Sequence, residues 1–227
     1  MQTITEGKFR TLFLLLLLCL VVVAVVSIGL GRYAISPVHV AKILLSYVVP
    51  VTKDWTDQAA SVIYTLRLPR ALAAMLIGAA LSLSGAAYQS VFKNPLVAPD
   101  MLGVSSGACV GASLCILLGL SQTGIQSGAF LGGLLAVFLA VSIPRIIGKN
   151  SIVMLVLSGI IVSGLMGSLL GIIKYLADSD TQLPAITYWQ LGSLVSVTWS
   201  NLISSGIPIV CCILFMMLIR WRMNILT

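Results

Sequence analysis

The sequence predicts an all-α protein, a polytopic bundle of transmembrane helices, on three observations. Hydrophobic residues fill 59% of the 227 positions, charged residues only 8%, and the mean hydropathy is +1.11. A soluble domain carries about a quarter charged residues to coat its exterior, so most of this exterior must face lipid. The charges also fall between uncharged stretches, each near the roughly 20 apolar residues that a membrane-crossing helix needs. Those stretches lack period-two alternation, and an open sheet edge cannot be satisfied in hydrocarbon.

Six spans follow, at about 11–31, 71–92, 101–120, 125–143, 151–173 and 199–219, read as one transmembrane domain over 1–227. The first has Lys8 and Arg10 before a leucine-rich core. Its apolar run is longer than a signal-peptide core and no small-residue cleavage site follows, so it reads as an uncleaved anchor with a cytoplasmic N-terminus. That start places Lys93, Arg145, Lys149, Arg220 and Arg222 inside with Lys8 and Arg10, and Arg32, Lys42, Lys53, Arg67, Arg70 and Lys174 outside. The bias is slight until Arg67 and Arg70 are given another task; the acidic Asp54, Asp57, Asp178 and Asp180 count for little in the rule.

Between the second and third spans, Pro95 and Pro99 force a rigid turn, and Asp100 is placed to cap the third helix. Between the fifth and sixth, the run from Tyr188 to Ser193 suits a short helix lying at the membrane interface. Small residues recur every four positions at Gly103, Gly107 and Gly111, at Gly124, Gly128 and Gly132, and at Gly159, Ser163, Gly167 and Gly171. Nothing hydrophobic drives helices together in lipid, so such stripes serve close backbone packing. They fit a tight bundle with or without transport.

Several chemistries are missing. The net charge of +7 suggests nucleic acid only until one notes that no basic run exists. Cys19, Cys109, Cys115, Cys211 and Cys212 lie in apolar runs without C-x-x-C spacing and read as packing residues. His39 stands alone in a loop, so no metal site, cofactor site or catalytic constellation can be assembled. No P-loop occurs, so ATP, if used, is bound by a partner. The spans hold no Asp, Glu, His, Lys or Arg of the kind that ion-coupled carriers place at membrane depth, although backbone carbonyls of broken helices can also bind sodium.

One resemblance organises the rest. Leu66-Arg67-Leu68-Pro69-Arg70, Gly78-Ala79-Ala80-Leu81, Ser84-Gly85, Gln89, the Asn94-to-Pro99 run and Leu102-Gly103-Val104-Ser105-Ser106-Gly107-Ala108 follow in order. With Leu157-Ser158-Gly159 and Tyr188-Trp189 before Gly192-Ser193-Leu194, they resemble the FecCD-type permeases of iron-siderophore, haem and cobalamin ABC importers. The resemblance implies an inner-membrane permease paired as a homodimer or pseudo-dimer, with two cytoplasmic ATPase subunits and a periplasmic or lipoprotein binding protein delivering the chelate. It implies ten spans, so this chain is expected to be truncated after the sixth, by gene fragmentation or by deliberate shortening. It further implies that Arg67 and Arg70 receive acidic residues of the binding protein, and that Asn94, Pro95 and Leu96 stand at an inner gate. Headgroup anchoring by the arginines, with Pro69 in a first helical turn, and a plain turn at Asn94 remain open beside those roles. A secondary carrier or channel, and a fragment that folds without transporting, stand as the other functional readings.

Overall fold

The computed structural model describes residues 6–47, 49–148 and 151–226, with side chains for 7–220 of these. Lys149, Thr227 and the side chains of Arg222 and of 223–226, which entered the charge pattern and the reading of the chain's end, lie outside the described residues.

Every regular element among the described residues is helical. In chain order these are α1 (Glu6–Gly29), α2 (Pro37–Leu45), α3 (Asp57–Val62), a π-turn (Ile63–Arg67), α4 (Leu68–Phe92), a 3-10 turn (Pro99–Leu102), α5 (Val104–Leu117), α6 (Gln122–Ile147), α7 (Ile152–Leu176), α8 (Gln182–Leu191) and α9 (Trp199–Leu226). Five described helical runs are long and apolar enough to cross a membrane: Gly7–Gly29, Asp57–Phe92, Gln122–Ile147, Ile152–Leu176 and Trp199–Arg220.

Two expectations are corrected. The third span is the 14-residue α5, about 21 Å long at 1.5 Å per residue and short of a hydrocarbon core of about 30 Å. Its length is cut at both ends. Pro99 and Asp100 open a 3-10 turn, Gly103 follows at φ 75°, and Gly119 at φ 67° stops the helix beyond Leu117. Pro69, in turn, does not sit in a first turn, because the helical run begins at Asp57 and reaches Pro69 through the π-turn.

Caps mark the other ends as polar side chains dictate. Thr56 Oγ1 accepts from the Ala59 N–H at 3.2 Å to start α3, and Ser151 Oγ accepts from Met154 at 3.2 Å to start α7. Asp100 Oδ1 accepts from the Ser105 N–H at 2.9 Å, supplying α5 with its first acceptor.

The chain divides into two compact units, Met1–Met75 with Val195–Leu202, and Leu76–Leu194 with Ile203–Thr227. In the first, Ile28, Ile35, Val40, Ile43, Ala59 and Ile63 form the core, while α1 is exposed along most of its length and buried only at its end. In the second, Leu102, Val110, Ala136, Ala140, Val162, Met166 and Leu170 pack α5, α6 and α7 together, and Ile186 of α8 joins them.

Candidate docking and gate sites

The arginine site is built from a broken helix. Proline has no N–H, and within a regular helix its ring clashes with the carbonyl four residues before it. The chain widens ahead of Pro69 into the π-turn, where the Leu68 N–H bonds the Ile63 carbonyl five residues back. The same spacing would pair the Tyr64 carbonyl with residue 69, which has nothing to donate. Trp199 fills the gap: its indole N–H donates to Tyr64 O at 2.9 Å, and its ring packs on Tyr64 with centroids 5.3 Å apart.

Arg67 closes the turn and reaches the end of α1. Its Nη1 donates to Ile28 O at 2.7 Å and Gly29 O at 2.9 Å, and its Nη2 donates to Tyr33 O at 2.5 Å. These are carbonyls at or beyond a helix C-terminus, where intrahelical donors run out, and a cation suits the negative end of the helix dipole. Arg70, one turn on, is half-buried; its Nε is buried without a hydrogen-bond partner among the described residues. The two arginines of the motif thus occupy different surroundings.

Nearby in the same unit, Asp54 binds Lys42 and lies 3.9 Å from His39 Nε2. The hydrogen bond from Lys42 and the positive charge of its ammonium hold the Asp54 carboxyl below its usual range. In the second unit Asp178 is likewise held low, by hydrogen bonds from the Thr181 hydroxyl and N–H.

The gate candidate is a tight Asx turn. Asn94 Oδ1 accepts from the Leu96 N–H at 2.9 Å, and Lys93 before it adopts φ 49°. Val97 points inward at 3% exposure and anchors the loop, while Leu96 stands out at 83%. An apolar side chain held outward on a proline-stiffened turn is a preformed knob.

The small-residue positions separate into two groups. A Cβ on Gly107 would lie 2.6 Å from that of Ala136, and one on Gly111 would lie 2.7 Å from the Gly128 carbonyl carbon. Gly132 meets Gly107 and Gly111 from the other side, so α5 and α6 touch backbone to backbone. Gly103 faces Ser163 Oγ at 2.8 Å, and Gly159 meets the backbone of Met101 and Leu102. Gly124 approaches only Leu120, beside its own helix start, and Gly167 and Gly171 have nothing within 4 Å.

A model described as the FecCD transport family matches residues 17–227. The chain belongs to that family. This FecCD chain is 36% identical over 204 residues to the molybdate import system permease protein of Haemophilus influenzae, covering 90% of this chain and 60% of the relative. It is 35% identical over 166 residues to a Helicobacter pylori protein described as an iron chelatin transport system permease, covering 73% and 50%. A solved structure described as an inward-facing metal-chelate type ABC transporter matches with a TM-score of 0.80 at 34% identity, covering 96% of this chain and 65% of that one. The chain therefore spans between half and two thirds of the length of these relatives.

Three features of this FecCD chain were not legible in advance. Trp199 and Tyr64 are 135 positions apart and no pattern links them. Ser158, 1% exposed, donates to Ala140 O of α6 at 2.6 Å, a bond that its place in the Leu157-Ser158-Gly159 motif does not disclose. The second unit also holds a groove of about 910 Å³, lined from α4, α6 and α9 by residues such as Leu81, Tyr88, Phe130, Pro208 and Cys212, with no charged side chain among its walls.

Proposed function

We propose that this chain is the membrane-spanning permease part of an ATP-driven importer in the bacterial inner membrane, forming a single permease domain with its N-terminus cytoplasmic. The observation that carries the reading is the FecCD match over residues 17–227. The uncharged walls of the groove and the absence of a P-loop from the sequence support an energy source on another chain. The chain is a transport subunit, and ATP hydrolysis belongs to cytoplasmic ATPase partners.

The cargo is a metal-containing solute. The relatives named for molybdate and for an iron chelatin support a class that includes metal oxyanions as well as chelates such as ferric siderophore, haem or cobalamin. A periplasmic or lipoprotein binding protein delivers it, a second permease copy completes the pathway, and docking falls to the segment carrying Arg67 and Arg70. Asn94, Pro95 and Leu96 form the cytoplasmic gate, with the exposed Leu96 as its knob.

The test is ATP hydrolysis by the transporter assembled around this chain in liposomes. Binding protein loaded with cargo should stimulate hydrolysis. Enlarging the knob with Leu96→Trp should slow cargo entry several-fold while binding-protein docking is unchanged. Hydrolysis indifferent to the binding protein would remove the importer reading, and unchanged entry in the Leu96 variant would reduce the loop to a turn.

A further inference from the structure

We infer that α7 is the seat of the turn at Asn94: Ser158 fixes α7 to α6, and Gly159 beside it receives the backbone of Met101 and Leu102, so these two positioning residues set where Leu96 stands. That the turn acts as a gate rests on the reading given above; its seat stands on geometry.

Pro144 lies inside α6 and is buried. It has no N–H to return to the carbonyl four residues back, which is that of Ala140. The Ser158 hydroxyl of α7 supplies the donor, 2.6 Å from Ala140 O. The same hydroxyl lies 2.8 Å from Leu155 O. That carbonyl receives the Gly159 N–H within the regular ladder of α7, so the single hydroxyl proton belongs to Ala140. Ser158 is 1% exposed, and a buried polar group left unpaired is costly. The hydroxyl and the carbonyl therefore need each other, and their bond ties α7 to α6 at one height.

Gly159 follows about 100° round the helix and meets a different neighbour. A Cβ there would overlap the Met101 carbonyl oxygen and lie 3.1 Å from the Leu102 Cα. One turn on, Ser163 meets Gly103, whose φ of 75° closes the 3-10 turn. Leu102, 5% exposed, joins the same core as Val162 and Met166 of α7. From this seat the chain runs back to Leu96 with little slack. Pro99 has a fixed φ, the Met101 N–H donates to Ala98 O at 3.2 Å, and Val97 is buried with its N–H on Asn94 O at 3.4 Å. A displacement of α7 against α6 is thereby carried to the Leu96 side chain.

Amide hydrogen exchange of the full chain in phosphatidylcholine nanodiscs, followed by mass spectrometry, reads the turn directly. Gly159→Ala should speed exchange over 94–103 about tenfold while 107–132 keeps its rates. Gly164→Ala on the same helix, where nothing lies within 4 Å, should change neither segment. Unchanged exchange in Gly159→Ala, or an equal rise in both segments, would overturn the seat. For Ser158 the carbonyl and the tie are separated. Ser158→Ala should lower the unfolding midpoint by about 4 °C and speed exchange over 94–103 several-fold. Adding Pro144→Ala gives Ala140 O a helical donor again, so the midpoint should recover while the turn stays loose, because α7 is still untied. A midpoint that does not recover would overturn the pairing of Ser158 with the proline. A turn that tightens again with the midpoint would show that Ser158 only satisfies a carbonyl, and would overturn its positioning role. ATP-driven cargo entry through the assembled transporter is measured alongside, and Gly159→Ala should slow it several-fold with binding-protein docking unchanged. A loosened turn with unchanged entry would support the seat and remove the gate reading.

Discussion

The α5–α6 crossing and the junction between α1 and the π-turn solve one problem in opposite ways. Helices in lipid are not drawn together by hydrophobic force, so van der Waals contact and hydrogen bonds must hold them. At the crossing, Gly107 and Gly111 meet Gly128 and Gly132 backbone to backbone. At the junction the ladders are broken by a helix end and by Pro69, and the carbonyls left over are met by Arg67 and Trp199. Contact without polarity holds the crossing, whereas at the junction Ile28 and Ile63 share one buried core and the leftover carbonyls are met by donors from Arg67 and Trp199. The crossing belongs to a packed core; the clasp lies at the break in the helical run before Pro69.

The sharpest way to break the contrast is to fill the crossing. Gly111→Leu should cost about 3 kcal/mol, because overpacking a closed backbone contact forces the helices apart. Gly167→Leu, where nothing lies within 4 Å, should stay within about 0.5 kcal/mol. Thermal unfolding in detergent compares the two, and equal losses would mean that the stripes act by composition rather than by contact. Next in size is Trp199→Phe, which keeps the ring against Tyr64 but removes the donor to its carbonyl. A loss of about 1–2 kcal/mol is expected for the orphaned acceptor, and no loss would show that solvent satisfies it.

The smallest effect is expected at Asp54, which is exposed and paired with Lys42. Its carboxyl lies below the ordinary 3.8 in the folded chain. The contribution is therefore fully present above the unfolded value and disappears as pH falls through the lower folded one. Unfolding midpoints compared for the unaltered chain and Asp54→Asn should differ at about pH 6 and converge as pH drops below about 4. A difference that grows on acidification would reverse the sign.

How far the sequence could be read follows the same division. Glycines at four-residue spacing are visible because close helix contact repeats with the helix, so Gly103, Gly107, Gly111, Gly128, Gly132 and Gly159 were open to inspection. Spacing could not say which stripes find partners, and Gly167 and Gly171 share the pattern without the contact. Pro69 was read as a helix start because proline favours the first turn; that a π-turn admits it mid-helix depends on Trp199, far along the chain. Arg67 and Arg70 look equivalent as letters three apart, and only the fold separates a guanidinium that donates to the Ile28, Gly29 and Tyr33 carbonyls from one whose Nε is buried without a partner among the described residues. The third span was drawn too long because uncharged residues continue on both sides of α5, while the left-handed glycines at 103 and 119 end the helix regardless of hydropathy.

The reading of this FecCD chain as the membrane part of an ATP-driven importer is tested most directly by what energises uptake. In vesicles holding the transporter assembled around this chain, entry of radiolabelled molybdate and of a ferric chelate is followed with ATP present, first with an ionophore collapsing ion gradients and then with an inactivated ATPase partner. Uptake of at least one cargo should survive the ionophore and stop when the ATPase is inactive. Uptake that continues without ATP hydrolysis and follows a proton or sodium gradient would contradict the account.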